Sequence, residues 1–210
     1  MRVAVVGASG RSGAATVARA RSEGHDVISV VRTAGTAPKE TMVRIADARD
    51  VAALSDAIRD ADAVISCLGH ARETSAVADR SVLHDGAAAL LTAMAAAHVS
   101  RLVVVSAAGA YVQGDDPLSR FIAKPIVARL FGAVFPDTRE MEEVIRASGV
   151  QWTILRPSRL IPGTSKPTYR FGVDRAVWWH YSTTFDTVGR ASVDALTNPE
   201  WIDHAIFITE

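Results

Sequence analysis

Short apolar runs alternate with segments of helical periodicity along most of the chain. The apolar runs predict strands, at residues 2–6, 27–31, 42–45, 63–68, 101–106, 151–155 and 205–208. The spacing of apolar residues between them predicts helices, from about 11, over 51–58, 81–97 and 118–131, from 137 to about 148, and over 187–196. The apolar runs do not alternate with polar residues, as is typical of parallel strands covered on both faces. The chain is therefore predicted to be an α/β protein with one doubly wound parallel sheet.

The region before the last helix is less regular than the rest. Residues 158–185 contain Pro162, Pro167, several glycines and an aromatic cluster from Trp178 to Tyr181. This composition predicts loops and short strands above the sheet, not a separate domain. We therefore expect a single domain over residues 1–210.

Composition and charge exclude several classes of protein. The chain has 210 residues, 49% hydrophobic and 22% charged, which suits one compact domain with a large core. Lysine plus arginine equals aspartate plus glutamate at 23 each, so we expect no binding of nucleic acid or of an acidic membrane. The single Cys67 excludes an internal disulfide, and the six histidines lack metal-ligand spacing, so no metal is expected.

The same features bear on location and assembly. One cysteine fits a reducing compartment, and the first residues show no signal-peptide pattern. No apolar run approaches the roughly 20 residues that span a membrane. We expect a cytoplasmic protein, a monomer or homodimer, whose partner is a small molecule.

A glycine-rich turn follows the first predicted strand. Its spacing is Gly-x-x-Gly-x-x-Gly, and an alanine-rich helix begins within it. Gly7 allows a tight turn, Gly10 lets the backbone approach a phosphate, and Gly13 lets helix and strand pack closely. Backbone N–H groups at such a helix start suit a pyrophosphate. The turn predicts a Rossmann-like dinucleotide site with contacts from Gly7, Ser9, Gly10, Arg11, Ser12 and Gly13.

The residue after the second predicted strand indicates which dinucleotide binds. NAD-preferring sites usually carry Asp or Glu there, which accept hydrogen bonds from the adenosine ribose. This chain has Arg32, whose guanidinium suits a 2′-phosphate, and Arg11 offers a second positive contact. Asp26 is the nearest acidic residue, but it precedes the strand and so lies at its amino end, away from the expected position of the ribose. The pattern favours NADP(H), against the alternative that Arg32 is only a solvated residue at a strand end.

The later strand ends extend this picture, because ligands of doubly wound sheets sit beyond the carboxyl ends of the strands. Their motifs resemble those of the atypical short-chain dehydrogenase/reductases, especially the NAD(P)-binding NmrA-like and biliverdin reductase B-like flavin reductases. The resemblance covers the whole chain. It rests on the glycine turn, Val30-Val31-Arg32, Ala46-Asp47, Leu68-Gly69, residues 105–111, residues 146–149 and 152–157, and Thr187 to Ala191.

This resemblance implies roles for the residues that follow the strands. Asp47, with Ala48 beside it, is implied to lie by the adenine, and Ser106 corresponds to the active-site serine. Pro157 and Ser158 are implied to border the nicotinamide through backbone contacts. The remaining implied contacts, beside the nicotinamide ribose, are Cys67, Leu68 and Gly69.

The sequence departs from the short-chain dehydrogenases in its proton chemistry. Many of them use Tyr-x-x-x-Lys, but the expected Tyr position here is Val134 and the expected Lys position is Thr138. Arg139 is adjacent to Thr138, yet on a helix it points about 100° away. Carbonyl reduction by the usual tyrosine route is therefore not expected.

Three interpretations are compatible with this loss. Hydride transfer to a flavin, quinone or conjugated enone does not require the protein to donate a proton. The protein then needs only to stack the nicotinamide on the molecule that receives the hydride. Alternatively, the protein binds NADP(H) without turnover and reports its redox state, as some NmrA-like proteins do. A narrow biosynthetic reductase with Tyr111 as its acid is the third interpretation. The sequence favours the first, an NADPH-dependent reductase.

Two candidate catalytic residues follow the fifth predicted strand. Ser106 is predicted to hydrogen-bond either an acceptor carbonyl or the nicotinamide amide, or else to cap backbone groups at the strand end. Tyr111 is a candidate acid, which would need a hydrogen-bond path to the substrate, or a residue of the pocket wall. Cys67 is expected to pack at its strand end, where apolar neighbours do not lower a thiol pKa.

The aromatic cluster is the candidate for contacts to the substrate. Trp178, Trp179 and His180 are predicted to line the site with Tyr111, as a lid or wall for a flat aromatic molecule. The alternative is that these rings fill the core or an interface. Residues 111–136 and 158–185 are accordingly the expected insertions on the substrate side.

Overall fold

The computed structural model describes residues 1–69, 81–111 and 135–210. Its ten strands are β1 (Arg2–Val6), β2 (Asp26–Val31), β3 (Met42–Ile45), β4 (Ala63–Ser66), β5 (Arg101–Val105), β6 (Gln151–Pro157), β7 (Arg159–Ile161), β8 (Arg170–Val173), β9 (Ser182–Thr184) and β10 (His204–Thr209). The α-helices within these residues are α1 (Arg11–Ser22), α2 (Val51–Ile58), α3 (Val82–Ala96), α4 (Phe135–Arg146) and α5 (Phe185–Thr197). None of the helices so described is long and apolar enough to cross a bilayer.

The strands form one large sheet and one small one. The order of the large sheet is β3-β2-β1-β4-β5-β6-β10-β8, and every neighbouring pair is parallel except β10 with β8. Strands β7 and β9 pair in parallel beside it. The predicted doubly wound parallel sheet is confirmed, and the antiparallel edge strand β8 is an addition that the sequence did not predict.

Each face of the large sheet buries its own apolar cluster. Along β1, Ala4 and Val6 belong to the cluster that includes residues of α2, α3 and α4, while Val3 and Val5 belong to the cluster that includes residues of α1 and α5. Successive strand side chains point to opposite faces, so a continuous apolar run supplies both clusters. This explains why the sequence shows no polar alternation.

Several element boundaries differ from those predicted by one or two residues, and two of the differences are considered individually. The sixth strand continues through Arg156 and Pro157, since a proline at the end of a strand removes at most one donor from the ladder. Helix α4 already includes Phe135, the first described residue of this part of the chain, so Asp137 lies inside the helix and does not start it. The Asp137 carboxylate is buried and accepts hydrogen bonds from the backbone N–H groups of Leu83 and His84 at the start of α3, at 2.9 and 2.8 Å. The helix predicted over 118–131 and most of the 111–136 insertion lie outside the described residues.

Candidate functional site

The strand order reverses between β1 and β4, and the loops that follow these strands meet at the carboxyl edge of the sheet. The Cys67 N–H donates to the Val6 carbonyl at 2.8 Å. A Cβ atom on Gly7 would lie 2.9 Å from the Cys67 carbonyl oxygen, so the two loops touch through their backbones. Such a switch point is where open α/β sheets bind their ligands.

The glycine turn after β1 is so tightly closed that a side chain does not fit at Gly7 or at Gly13. Gly7 has φ +78°, and the Gly10 N–H donates to the Gly7 carbonyl at 3.0 Å. A Cβ atom on Gly13 would lie 2.2 Å from the Gly7 carbonyl oxygen. The backbone roles predicted for Gly7 and Gly13 agree with this geometry.

Helix α1 starts from this turn without a side-chain cap. Gly10 is its N-cap residue and has no side chain to cap it, and the first turn of the helix contains no acidic residue. Within the described ranges, no side chain accepts a hydrogen bond from this turn. Unpaired N–H groups and the positive end of the helix dipole therefore face the crevice. An anion such as a pyrophosphate fits this position, which is flanked by Ser9 and Ser12.

Two arginines lie close to the glycine turn. Arg32 directly follows β2, whose Val30 carbonyl accepts a hydrogen bond from the Gly7 N–H at 3.1 Å. Its side chain is exposed, and within the described residues it has neither a hydrogen bond nor an ion pair. The Arg11 guanidinium lies 4.3 Å above the Phe185 ring. Arg32 is thus available to a ligand, while Arg11 already has an aromatic partner.

Asp47 and Ala48 occupy the turn between β3 and α2. The Asp47 side chain is exposed and accepts a hydrogen bond from the Arg49 N–H at 2.9 Å. Ala48 is half-buried near Gly86 of α3. Both residues are at the carboxyl edge, and their contact with an adenine stays a prediction.

Cys67 is half-buried at the end of β4, and its Sγ lies 3.6 Å from the Thr16 hydroxyl oxygen. Burial raises the pKa of this thiol to about 11, although the Thr16 hydrogen bond opposes the shift. The direction of this shift agrees with the expectation that the thiol pKa is not lowered. Leu68 is half-buried next to it and Gly69 is exposed.

A buried ionic cluster lies behind the ends of β5 and β6. The Glu142 carboxylate of α4 is only 1% exposed, and Arg156 of β6 donates to both of its oxygens, at 3.1 and 2.5 Å. The Ser106 hydroxyl donates to the same carboxylate at 2.6 Å. Arg146 approaches it from the surface, at 3.6 Å. The candidate active-site serine is thus part of a fixed network.

Tyr111 belongs to the same cluster through its ring. The Arg156 guanidinium carbon lies 3.4 Å from the centroid of the Tyr111 ring, a close cation–π contact. Burial raises the pKa of the Tyr111 phenol above its usual value, and the nearby Glu142 carboxylate raises it further. This is the opposite of what the lysine of a Tyr-x-x-x-Lys motif does. The geometry favours a wall residue over an acid.

The helix that carries the proton relay in many short-chain dehydrogenases has other contacts here. Thr138 is buried, and Arg139 donates through Nε to the Ala110 carbonyl at 2.8 Å. Val134 lies outside the described residues. Neither Thr138 nor Arg139 replaces the missing lysine.

Pro157 and Ser158 complete the carboxyl edge after β6. Pro157 is buried and pairs with Ile208 of β10. The Ser158 N–H donates to the Ile208 carbonyl at 3.1 Å, and its hydroxyl lies 3.5 Å from the His180 carbonyl. Their contact with a nicotinamide stays a prediction.

Two members of the aromatic cluster line different cavities. Trp178 lines a cavity together with Phe171 and Arg175, whereas His180 lines another with Lys166 and Glu210. Between them, Trp179 has φ +64° and is 60% exposed. The chain therefore turns at Trp179 and separates its neighbours, and a common role for the three in substrate binding stays a prediction.

Two residues central to this site, Glu142 and Arg156, were not singled out from the sequence. A signal for Glu142 is present, because Thr138, Met141, Glu142 and Ile145 form one buried stripe at helical spacing. A charged residue on such a stripe needs a buried partner. Arg156, directly after four buried strand residues, is the matching cation.

Comparison with known proteins bears directly on this geometry. A family model described as NAD(P)H-binding matches residues 7–199. The chain belongs to this family. The predicted resemblance to NAD(P)-binding dehydrogenase/reductases is thereby confirmed, and so is a nicotinamide dinucleotide as the class of cofactor.

Individual members of known function or structure are similar to this NAD(P)H-binding protein. The 3-diazoavenalumate denitrifying reductase of a Streptomyces species is 33% identical over 178 residues, which are 78% of this chain and 58% of that protein. A wide-type short-chain dehydrogenase/reductase from Veillonella parvula, in complex with NADP, has a TM-score of 0.82 at 19% identity and covers 100% of this chain and 94% of its own. SP1627 of Streptococcus pneumoniae is provisionally assigned as an NADH-flavin reductase. It has a TM-score of 0.81 at 21% identity, and the match covers 100% of this chain and 99% of SP1627. At these identities the two structures establish the fold.

Proposed function

We propose that this protein is an NADP(H)-dependent oxidoreductase that transfers hydride to a small, flat, electron-poor acceptor such as a flavin, a quinone or a conjugated enone. The uncapped glycine turn at the strand switch point carries the proposal. A Cβ atom on Gly7 or Gly13 would collide with backbone atoms, so these glycines allow the tight turn that brings N–H groups of α1 to the position where a phosphate would bind. Bound there, the dinucleotide would supply the hydride.

The preference for NADP(H) rests on Arg32. Its exposed guanidinium, without a protein partner in the described part of the chain, follows β2 beside the turn. A guanidinium holds a phosphate through two parallel charge-assisted hydrogen bonds. Among the described residues, β2 is followed by Arg32 and not by an acidic residue, while Asp26 is at the other end of β2 and pairs with Arg2.

The type of acceptor follows from the proton chemistry of the site. The Ser106 hydroxyl donates to Glu142, and the pKa of Tyr111 is raised, so neither is suited to protonate a carbonyl. An acceptor that delocalises the arriving charge needs only to be stacked and oriented, and solvent can protonate the product. SP1627, provisionally assigned as an NADH-flavin reductase, supports a flavin as one such acceptor, and the name of the Streptomyces protein supports a reductase activity.

Oxidation of NADPH by the purified protein tests the proposal. The near-ultraviolet absorbance of NADPH is followed with a panel of flavins, quinones and enones, beside NADH and a control without acceptor. We expect turnover well above the control and faster with NADPH. Confirmed NADPH binding without turnover would instead favour a sensor that reports the NADP(H) redox state to a partner.

Arg32→Ala is expected to weaken NADPH binding by about 10- to 150-fold, because hydrogen bonds to charged groups contribute about 1.5–3 kcal/mol. NADH, which lacks the 2′-phosphate, should bind as before. Calorimetric titration of both cofactors measures the effect, with Arg59→Ala as control, since Arg59 lies at the opposite edge of the sheet, between α2 and β4. Equal losses for NADPH and NADH would refute the role of Arg32.

A further inference from the structure

The Ser106 hydroxyl is half-exposed at the carboxyl edge of the sheet, directly after β5. Two ligand contacts are compatible with its position. As a hydrogen-bond donor, the hydroxyl would polarise the carbonyl group of the molecule that receives the hydride. As a hydrogen-bond acceptor, it would bind an N–H group of a ligand. The environment of its proton distinguishes between them.

Glu142 determines where that proton lies. Its carboxylate is 1% exposed, so its hydrogen bonds must come from protein groups, and an ionised carboxylate can only accept. Arg156 supplies one donor to each oxygen, and Ser106 supplies the third, to Oε1 at 2.6 Å. If Ser106 turned its proton towards a ligand, two oxygen atoms would face each other at this distance with only lone pairs between them. The proton therefore stays on the side of Glu142.

The outer side of the Ser106 oxygen is consequently left with lone pairs alone. It offers no proton to an acceptor carbonyl, but it can accept a hydrogen bond from a ligand N–H. The Arg156 guanidinium behind it is itself held by Glu142 and stacked on Tyr111, so the arrangement is rigid. The Ser106 oxygen is thus a fixed hydrogen-bond acceptor at the carboxyl edge, and it favours ligands that place an N–H group there.

We infer that Ser106 accepts a hydrogen bond from the carboxamide N–H of the nicotinamide and so fixes the orientation of its ring, and that Glu142 positions Ser106 for this contact. The inference rests on the proposed function, since it needs the dinucleotide in the crevice. It assigns Ser106 to the cofactor and not to the reacting carbonyl. Cofactors that lack the carboxamide N–H are therefore discriminated against.

The test uses oxidised NADP and its 3-acetylpyridine analogue, in which a methyl group replaces the carboxamide nitrogen while the carbonyl remains. Dissociation constants are measured by calorimetry, so no turnover is required. We expect the natural protein to bind oxidised NADP about tenfold more tightly than the analogue. Ser106→Ala should lose this preference because binding of NADP weakens, and Ser106→Thr, which keeps the hydroxyl, should retain it.

Ser148→Ala is the matched control. The Ser148 hydroxyl also donates to a protein oxygen, the Ile145 carbonyl at 2.6 Å, but it lies after α4 and away from the glycine turn. This variant should keep the natural preference between NADP and its analogue. Denaturant unfolding of each variant verifies that it is folded before titration.

The possible results separate the inference from the proposed function. Binding of NADP with the same discrimination in Ser106→Ala as in the natural protein would overturn the inference and leave the proposed function standing. Failure of the natural protein to bind NADP would overturn both. Loss of turnover in Ser106→Ala with unchanged discrimination would show that Ser106 acts on the acceptor, which also overturns the inference.

Discussion

Gly13→Ala is expected to raise the dissociation constant of NADPH by at least about 100-fold and to lower the free energy of unfolding by about 3 kcal/mol. The added methyl group would lie 2.2 Å from the Gly7 carbonyl oxygen and 2.8 Å from the Ala8 Cα. Both neighbours are backbone atoms, so the start of α1 must move away from β1. That movement displaces the N–H groups proposed to hold the pyrophosphate. Calorimetric titration and denaturant unfolding measure the two effects.

Gly149→Ala is the control for this variant. A Cβ atom at Gly149 has no neighbour within 4 Å, and the residue lies after α4 near the amino end of β6. NADPH binding and stability should stay close to those of the natural protein. If Gly13→Ala bound NADPH within about threefold of the natural protein, the turn would not be the phosphate site.

Arg156→Met is expected to destabilise the protein by about 3–5 kcal/mol, because it leaves the Glu142 carboxylate buried without its main partner. Methionine fills much of the same volume, so loss of packing is the smaller part of the effect. The variant also removes the guanidinium that stacks on Tyr111. Unfolding by urea, followed by circular dichroism, measures the change in free energy.

The double variant Glu142→Leu, Arg156→Met distinguishes the effect of the unpaired buried charge on stability from the effect of lost packing. It should recover most of the stability lost in Arg156→Met, since a buried pair replaced by apolar residues leaves no uncompensated charge. Arg146→Ala, whose side chain is 39% exposed, should cost less than about 1 kcal/mol. A double variant that is less stable than Arg156→Met would contradict this account.

Much of the fold could be predicted because its signals are local. Val3 to Val6 form an uninterrupted apolar run and belong to a strand buried on both faces. Asp50 stands before a helical pattern, and its side chain accepts a hydrogen bond from the Ala53 N–H as an N-cap residue does. The glycines at 7 and 13 stand where only a missing side chain fits. Each of these inferences needs a few adjacent residues.

The remaining features depend on residues that are distant along the chain or on unusual backbone angles. Asp137 has the sequence context of a helix cap, but its partners are N–H groups more than fifty positions earlier. The helical spacing of Met141 and Ile145 places Glu142 on the buried face of α4, but its partner Arg156 comes from β6, and only the tertiary structure brings the two together. The left-handed conformation of Trp179 is rare for a bulky residue, so the separation of Trp178 from His180 could not be anticipated.

The first and last α-helices of the described chain rest on each other. A Cβ atom at Gly189 would lie 2.6 Å from the Ala15 carbonyl carbon, and Val17 shares an apolar cluster with Val188. During synthesis on the ribosome, the apolar surface of α1 that packs against α5 therefore stays exposed to solvent until α5 has emerged. The glycine turn proposed to hold the phosphates, although it lies within the first thirteen residues, therefore leads into a helix whose packing partner is made near the end of synthesis.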